Sequence, residues 1–152
     1  MTAAARALED AATRGLAVDI VPRPPATSLE EAAAGLGIGA SELVKTLVVR
    51  RAEDDYLFVL LPGDRQISWP KLRALVGVNR LSMPDAGRAL EATGYERGTI
   101  TPLGSSTAWP VFADERISGR IALGSGERDH AAFVESGELL QAYDATVADL
   151  SD

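Results

Sequence analysis

Lys45 stands where an apolar run begins, and an ammonium in that position must reach either water or an anion. The stretch around it, Ser41-Glu42-Leu43-Val44-Lys45-Thr46-Leu47-Val48-Val49-Arg50, opens like a helix and closes like a strand. Ser41 suits an N-cap and Glu42 the positive first turn. Thr46 to Val49 suit a buried strand. A lysine stem that snorkels to solvent is the commoner outcome; an anion-holding lysine in a pocket is the functional one. Further along, Gly124-Ser125-Gly126 is a Gly-X-Gly fragment. It lacks the third glycine and the helix of a dinucleotide fingerprint, and no Gly-Lys-Ser/Thr phosphate loop occurs in the chain. It reads as a tight turn, or as a place where backbone comes close to a ligand. Asp114 ends the run Trp109-Pro110-Val111-Phe112-Ala113 and reads as a catalytic carboxylate or a polar strand end. His130 follows Asp129. The pair could act as a base with its orienting partner, but neighbours in a strand point to opposite faces, which favours a surface histidine.

What is missing narrows the chemistry further. The chain has no cysteine and one histidine. Disulfides, thiolate metal sites, a protein thiol nucleophile and a multi-histidine zinc site are all ruled out. No serine sits in a Gly-X-Ser-X-Gly elbow. An enzyme built from these residues works by positioning, by backbone dipoles and by groups of the substrate itself.

The elements that must hold these residues are legible from pattern and punctuation. Residues 3–15 read as an amphipathic helix with Ala4, Leu8, Ala11 and Ala12 on one face and Gly15 as its stop. Residues 16–21 alternate like a strand, and Pro22, Pro24 and Pro25 follow it. Ser28-Leu29-Glu30-Glu31 has the form of a capping box for a short helix ending near Gly37. The Thr46–Val49 strand and a second one, Tyr56 to Leu61, form a hairpin across Glu53-Asp54-Asp55, and their near-continuous apolar character predicts a sheet covered on both faces. Ser68 and Pro70 open a helix that Gly77 closes; Pro84 and Asp85 open another that Gly94 closes. Residues 95–104 have no period and contain Gly98, Pro102 and Gly104, so they read as a surface loop, either a connector or a functional one. Strands follow at residues 109–114 and 120–123, then a helix capped by Ser136 and an edge strand within 146–150.

These elements predict one α+β domain over residues 1–152, with a mixed, mostly antiparallel curled sheet or distorted barrel and helices packed outside. The length suits a single domain with a real core. With 5% aromatic residues, that core must be mostly Leu, Val, Ala and Ile. A net charge of −7 argues against a general nucleic-acid binder but leaves room for a local basic pocket for one RNA end. No run approaches the roughly 20 apolar residues of a membrane span. Charge enters at Arg6, Glu9 and Asp10, too early for a signal peptide. The expected location is the cytoplasm, away from membranes.

Taken in order, several segments resemble the YbaK/prolyl-tRNA-synthetase-associated domain family, the aminoacyl-tRNA deacylases that edit mischarged tRNA. Leu43-Val44-Lys45-Thr46-Leu47-Val48 is similar to the family's stretch around its characteristic lysine. Val59-Leu60-Leu61-Pro62-Gly63-Asp64-Arg65 is similar to the strand that ends in a Pro-Gly-Asp turn. Gly94-Tyr95 and then Gly98-Thr99-Ile100-Thr101-Pro102-Leu103-Gly104 resemble the family's Gly-X-X-X-Pro loop. Pro110 to Asp114 resemble the strand ending in an aspartate, and Ala122 to Gly126 the small Gly-rich turn. The resemblance spans about residues 15–150.

The resemblance implies hydrolysis of the amino-acid ester at the 3′ end of tRNA, with no cofactor, no metal and no protein nucleophile. It implies Lys45, Gly98 and Asp114 as catalytic residues, with Lys45 holding an anionic or carbonyl group and Asp114 orienting Lys45 or the substrate amine at the pocket edge. Thr46, Thr99, Ile100, Thr101 and Pro102 are implied on the substrate side, and Gly124, Ser125 and Gly126 as the opposite wall. A cysteine- or alanine-type ester is the implied substrate, and an aminoacyl-tRNA synthetase a partner. The rival reading is a non-catalytic module of the same fold that binds a nucleotide or a protein partner.

Overall fold

The computed structural model describes every residue from Met1 to Asp152. Its spine is the apolar run Tyr56 to Leu61, which forms most of strand β3 (Asp55–Pro62) and is buried throughout. Alternation sends Phe58 and Leu60 to one face, and Leu57, Val59 and Leu61 to the other. Both faces are covered, as continuous apolar character requires. β3 pairs antiparallel with β2 (Val44–Ala52) across a tight turn in which Asp54 takes φ 55°. On its other side β3 pairs in parallel with β4 (Val111–Asp114), and β4 in parallel with the edge strand β7 (Thr146–Ala148).

A second sheet has the order β1 (Asp19–Pro22), β6 (His130–Glu135), β5 (Arg120–Gly124), all antiparallel. The two sheets touch where Leu43, just before β2, bridges Ala122 of β5. The main core lies between them: Val44, Val48, Phe58 and Leu60 face Ile121, Leu123, Ala132 and Val134. The mixed, mostly antiparallel α+β expectation holds, as two joined sheets with no closed barrel.

Local chemistry explains the helices. Thr2 caps α1 (Ala3–Thr13), and Ser28 caps α2 (Leu29–Gly35) by accepting from the Glu31 N–H at 3.0 Å. The Glu31 carboxylate turns back to Thr27, bonding its N–H and hydroxyl, so the box closes one residue early. Ser68 caps α3 (Trp69–Val76) and Asp85 caps α4 (Ala86–Thr93). Each of these two helices ends on a glycine with positive φ, Gly77 and Gly94. The last helix is α5 (Ser136–Ala142). No helix is long and apolar enough to cross a membrane.

Several local expectations are corrected. Ser41 caps nothing: a 3-10 turn, Ala40–Glu42, follows Gly39, and the Glu42 carboxylate accepts from the Gly39 N–H at 3.0 Å. Of the face expected for α1, Ala4 and Ala11 are buried, but Leu8 is 40% exposed and Ala12 is exposed, and Ala7 is buried in addition. Ser136 is the first residue of α5 rather than its cap. The sequence pattern marks out no strand over residues 130–135, because Ala131 and Ala132 carry little β-propensity, yet β6 is the central strand of its sheet. The 95–104 loop is a surface loop only over Glu96 to Gly98, which are exposed; Tyr95, Thr99, Thr101 and Leu103 are buried.

Candidate functional site

A cavity of about 780 Å³ opens where the two sheets part. One wall is the start of β2, from Val44 to Val48, whose place at the sheet edge leaves it free of a further strand. Gly98 and Ile100 of the irregular loop and Gly124 at the end of β5 form the facing side. Leu29 and Ala32 of α2 and the segment from Met83 to Ala86 complete the enclosure. The charge is inverted relative to the molecule. Arg23, Lys45 and Arg97 line the cavity against one carboxylate, Asp85, in a chain of net charge −7.

Lys45 lies within β2, opposite Leu61, rather than at a helix–strand junction. It is half-buried, and desolvation lowers its pKa; Asp64, in the turn after β3, partly opposes this by its charge. That Pro62-Gly63-Asp64 turn demands its glycine. A Cβ on Gly63 would lie 2.5 Å from the Leu43 carbonyl oxygen and 2.7 Å from that of Ala40. Next to Lys45, the Thr46 hydroxyl is buried, lines the cavity and has no hydrogen-bond partner. A polar atom left so costs free energy unless something else bonds it.

Across the cavity, Gly98 is exposed at φ 89°. Behind it the loop is welded to the end of β5. A Cβ on Gly124 would lie 2.6 Å from the Ile100 carbonyl oxygen. The Gly126 N–H donates to the Thr99 carbonyl at 3.0 Å. The Gly-rich turn therefore does allow a close backbone approach, but to the protein's own loop.

The structure brings five of the residues singled out from sequence to the cavity: Lys45, Thr46, Gly98, Ile100 and Gly124. Thr99, Thr101, Pro102, Ser125 and Gly126 do not line it. They lie behind it as supports: the Thr99 hydroxyl donates to the Glu96 carbonyl, the Thr101 hydroxyl accepts from the Leu103 N–H, and the Ser125 hydroxyl donates to the His130 carbonyl.

Asp114 is a correction. Fully buried, it is saturated by the C-terminal segment and does not line the cavity. It accepts from the Leu150 N–H at 2.9 Å, the Ser151 hydroxyl at 2.9 Å, the Arg116 N–H at 3.0 Å and the Arg116 guanidinium at 3.1 Å. Burial alone would raise its pKa, but these bonds prevail and lower it. Asp129 is exposed and His130 partly so, both outside the cavity, in keeping with a surface histidine, but the alternation argument behind that reading is corrected. Asp129 precedes β6, so strand alternation does not separate the two, and their side chains meet at 2.8 Å.

Sequence reasoning missed Arg23, Arg97 and Asp85 as cavity residues. Arg23 was hidden among prolines, and Asp85 read only as a helix start. Arg97 had one available signal, its place next to Gly98. The assembled cavity offers cations for a phosphate or a polarised carbonyl, backbone groups from a loop held in place, and a largely apolar floor.

A family model described as an aminoacyl-tRNA editing domain matches residues 23–142. The proline–tRNA ligase of Lactobacillus gasseri is 29% identical over 112 residues, covering 72% of this chain and 20% of the ligase. That of Nitratidesulfovibrio vulgaris is 35% identical over 99 residues, covering 65% of this chain and 17% of the ligase. The chain thus spans about a fifth of the length of these curated relatives. A solved structure described as a candidate trans-editing enzyme for prolyl-tRNA synthetase superposes with a TM-score of 0.91 at 28% identity, covering 100% of this chain and 98% of the other.

Proposed function

The chain belongs to the aminoacyl-tRNA editing domain family, and from that premise we propose that it clears mischarged tRNA by hydrolysing the aminoacyl ester at the 3′ end. The observation that carries the reading is the inverted charge of the cavity: three cations, the half-buried Lys45 with Arg23 and Arg97, in an otherwise acidic molecule. Lys45, Arg23 and Arg97 meet the terminal phosphate and the ester carbonyl. The backbone N–H groups of Gly98 and Ile100, the loop residues that line the cavity, stabilise the oxyanion as it forms. The Thr46 hydroxyl finds in the substrate the partner it lacks in the protein. Asp85, the one carboxylate on the wall, faces the free α-ammonium of the amino acid.

The attacking oxygen comes from water. It bonds to the carbonyl carbon, the ester C–O bond breaks, and the ribose oxygen leaves with a proton while the amino acid departs as a carboxylate. With a cysteine ester, the substrate's own thiol is the alternative attacker. An ester of cysteine or alanine type is the proposed substrate. A synthetase, prolyl-tRNA synthetase above all, is the proposed partner, since the matched relatives are proline–tRNA ligases.

Deacylation of labelled cysteinyl-, alanyl- and seryl-tRNA by wild type and Lys45→Ala tests this. One ester should be cleared by wild type and roughly 10²- to 10³-fold more slowly by the variant, the range seen for removing one oxyanion donor. A folded Lys45→Ala protein that clears the ester at full rate would end Lys45's role. Clearance of none by wild type, with or without added synthetase, would leave a binding module.

A further inference from the structure

The loop that carries Gly98 and Ile100 to the cavity has no regular hydrogen-bond ladder, so its shape must be imposed from outside. Helix α1 holds both of its ends. The Arg6 guanidinium donates from Nε to the Gly104 carbonyl at 3.1 Å and from Nη2 to the Gly94 carbonyl at 3.1 Å. A single planar fork thus ties Gly94, the residue just before the loop, to Gly104, its last, a geometry that lysine does not reproduce. The same guanidinium lies 4.6 Å from the centroid of the Tyr95 ring, whose hydroxyl donates to the Leu103 carbonyl. One helical turn on, Asp10 accepts from the Gly104 N–H at 2.9 Å and from the Tyr143 hydroxyl. Gly104 is gripped on both sides. At φ 70°, a Cβ there would lie 2.8 Å from both the Arg6 carbonyl oxygen and the Tyr95 hydroxyl. The start of α1 reaches the Gly-rich turn as well: the Ala4 N–H donates to the Glu127 carboxylate at 3.2 Å, and a Cβ on Gly126 would meet the Tyr95 ring at 2.7 Å.

Helix α1 lines no part of the cavity, and it lies before residue 23, where the family match begins. We propose that α1 is the clamp that sets the Gly98 loop, with Arg6 and Asp10 as positioning residues that hold Gly98 and Ile100 at the cavity wall. The proposal rests on the editing reading for its kinetic consequence, but not for its structural one. A loop released at its ends still presents Gly98 to the substrate, only with its backbone groups out of line, so the loss falls on kcat more than on KM.

The test uses the full chain as wild type, Arg6→Ala, Arg6→Lys and Asp10→Asn, with kcat and KM measured on the ester that wild type clears. Arg6→Ala should lose roughly ten- to hundredfold in kcat, with KM changed about twofold or less, the scale expected for slight misplacement of reacting groups. Added ethylguanidinium should restore part of that kcat, and Arg6→Lys should recover little. A folded Arg6→Ala protein with wild-type kcat overturns the clamp. So does a loss that tracks the unfolded fraction and ignores added guanidinium. Should Arg6→Ala not fold, Arg6→Lys and Asp10→Asn are judged by the same split between kcat and KM. Should wild type clear no ester, the editing reading fails by itself, and the clamp is decided by hydrogen exchange: the hydrogen-bonded amides of Tyr95, Thr99 and Leu103 should exchange at least roughly tenfold faster in Arg6→Lys while those of β3 stay protected, and unchanged loop exchange overturns it.

Discussion

At the scale of single residues, two carboxylates exchange the roles that their sequence neighbourhoods suggest. Asp85 caps α4 with one oxygen, bonding the Arg88 N–H at 2.8 Å, and faces the cavity. Asparagine caps as well as aspartate, so Asp85→Asn removes the charge and keeps the helix. On the editing reading, kcat/KM for the free aminoacyl ester should fall about tenfold, while an N-acetylated ester, which has no ammonium, is cleared equally by both proteins. Equal loss on the two esters would show that Asp85 acts only on the fold. Asp114 should behave in the opposite way. It is buried with four donors aimed at it, so Asp114→Asn should cost about 2–4 kcal/mol in denaturant unfolding and leave the folded protein active. The sign of its pH dependence follows from its lowered pKa. Its stabilising contribution is complete above the ordinary carboxylate value of 3.8 and is lost as the pH falls from there through the lowered folded value. Acid unfolding of Asp114→Asn should therefore have a flatter pH dependence in that window than that of wild type.

At the scale of elements, the site depends on how closely two irregular segments approach. The end of β5 and the 98–102 loop are in backbone contact at Gly124, where the Ile100 carbonyl occupies the place of a side chain. Because backbone does not yield as a flexible side chain does, Gly124→Ala should cost about 1–3 kcal/mol and slow deacylation by displacing Ile100. Gly137, at the start of α5, is a fair control. A Cβ there meets nothing within 4 Å, so alanine should be tolerated. A Gly124→Ala protein with wild-type melting temperature and rate would mean that the loop moves freely against β5.

At the scale of the whole molecule, electrostatics set how a chain of net charge −7 meets a polyanion. On the editing reading, the acidic surface should repel the body of a tRNA and the cations of the cavity should attract only its end. Binding should then be modest and weakly salt-dependent. With Arg23, Lys45 and Arg97 engaged, the log–log slope of affinity against salt should be about −2 or shallower, at roughly −0.7 per phosphate contact on a single strand. A much steeper slope in KM between low and physiological salt would reveal a broader basic surface in use. The same balance favours delivery of substrate by a synthetase over free capture.

What the sequence determined by itself was what local rules govern. Caps at Ser28, Ser68 and Asp85, the stops at Gly77 and Gly94, and the apolar run of β3 are all set by residues a few positions apart, and each appears where its chemistry puts it. The absence of cysteine and of a nucleophile elbow limited the chemistry, and the ordered motifs around Lys45, Gly98 and Gly124 pointed to the family, the first to one wall of the cavity and the other two to the side that faces it. Tertiary structure decided the rest. β6 is a central strand because its partners β1 and β5 lie on either side of it, not because Ala131 and Ala132 favour a strand. Arg23, Arg97 and Asp85 come to line one cavity with Lys45 only in the folded chain, and no spacing along the sequence encodes that. Asp114 shares a strand end with the family pattern, yet its surroundings are chosen by a C-terminal segment more than thirty residues away. A polar residue's function depends on which donors and charges surround it, and those are brought together by long-range packing.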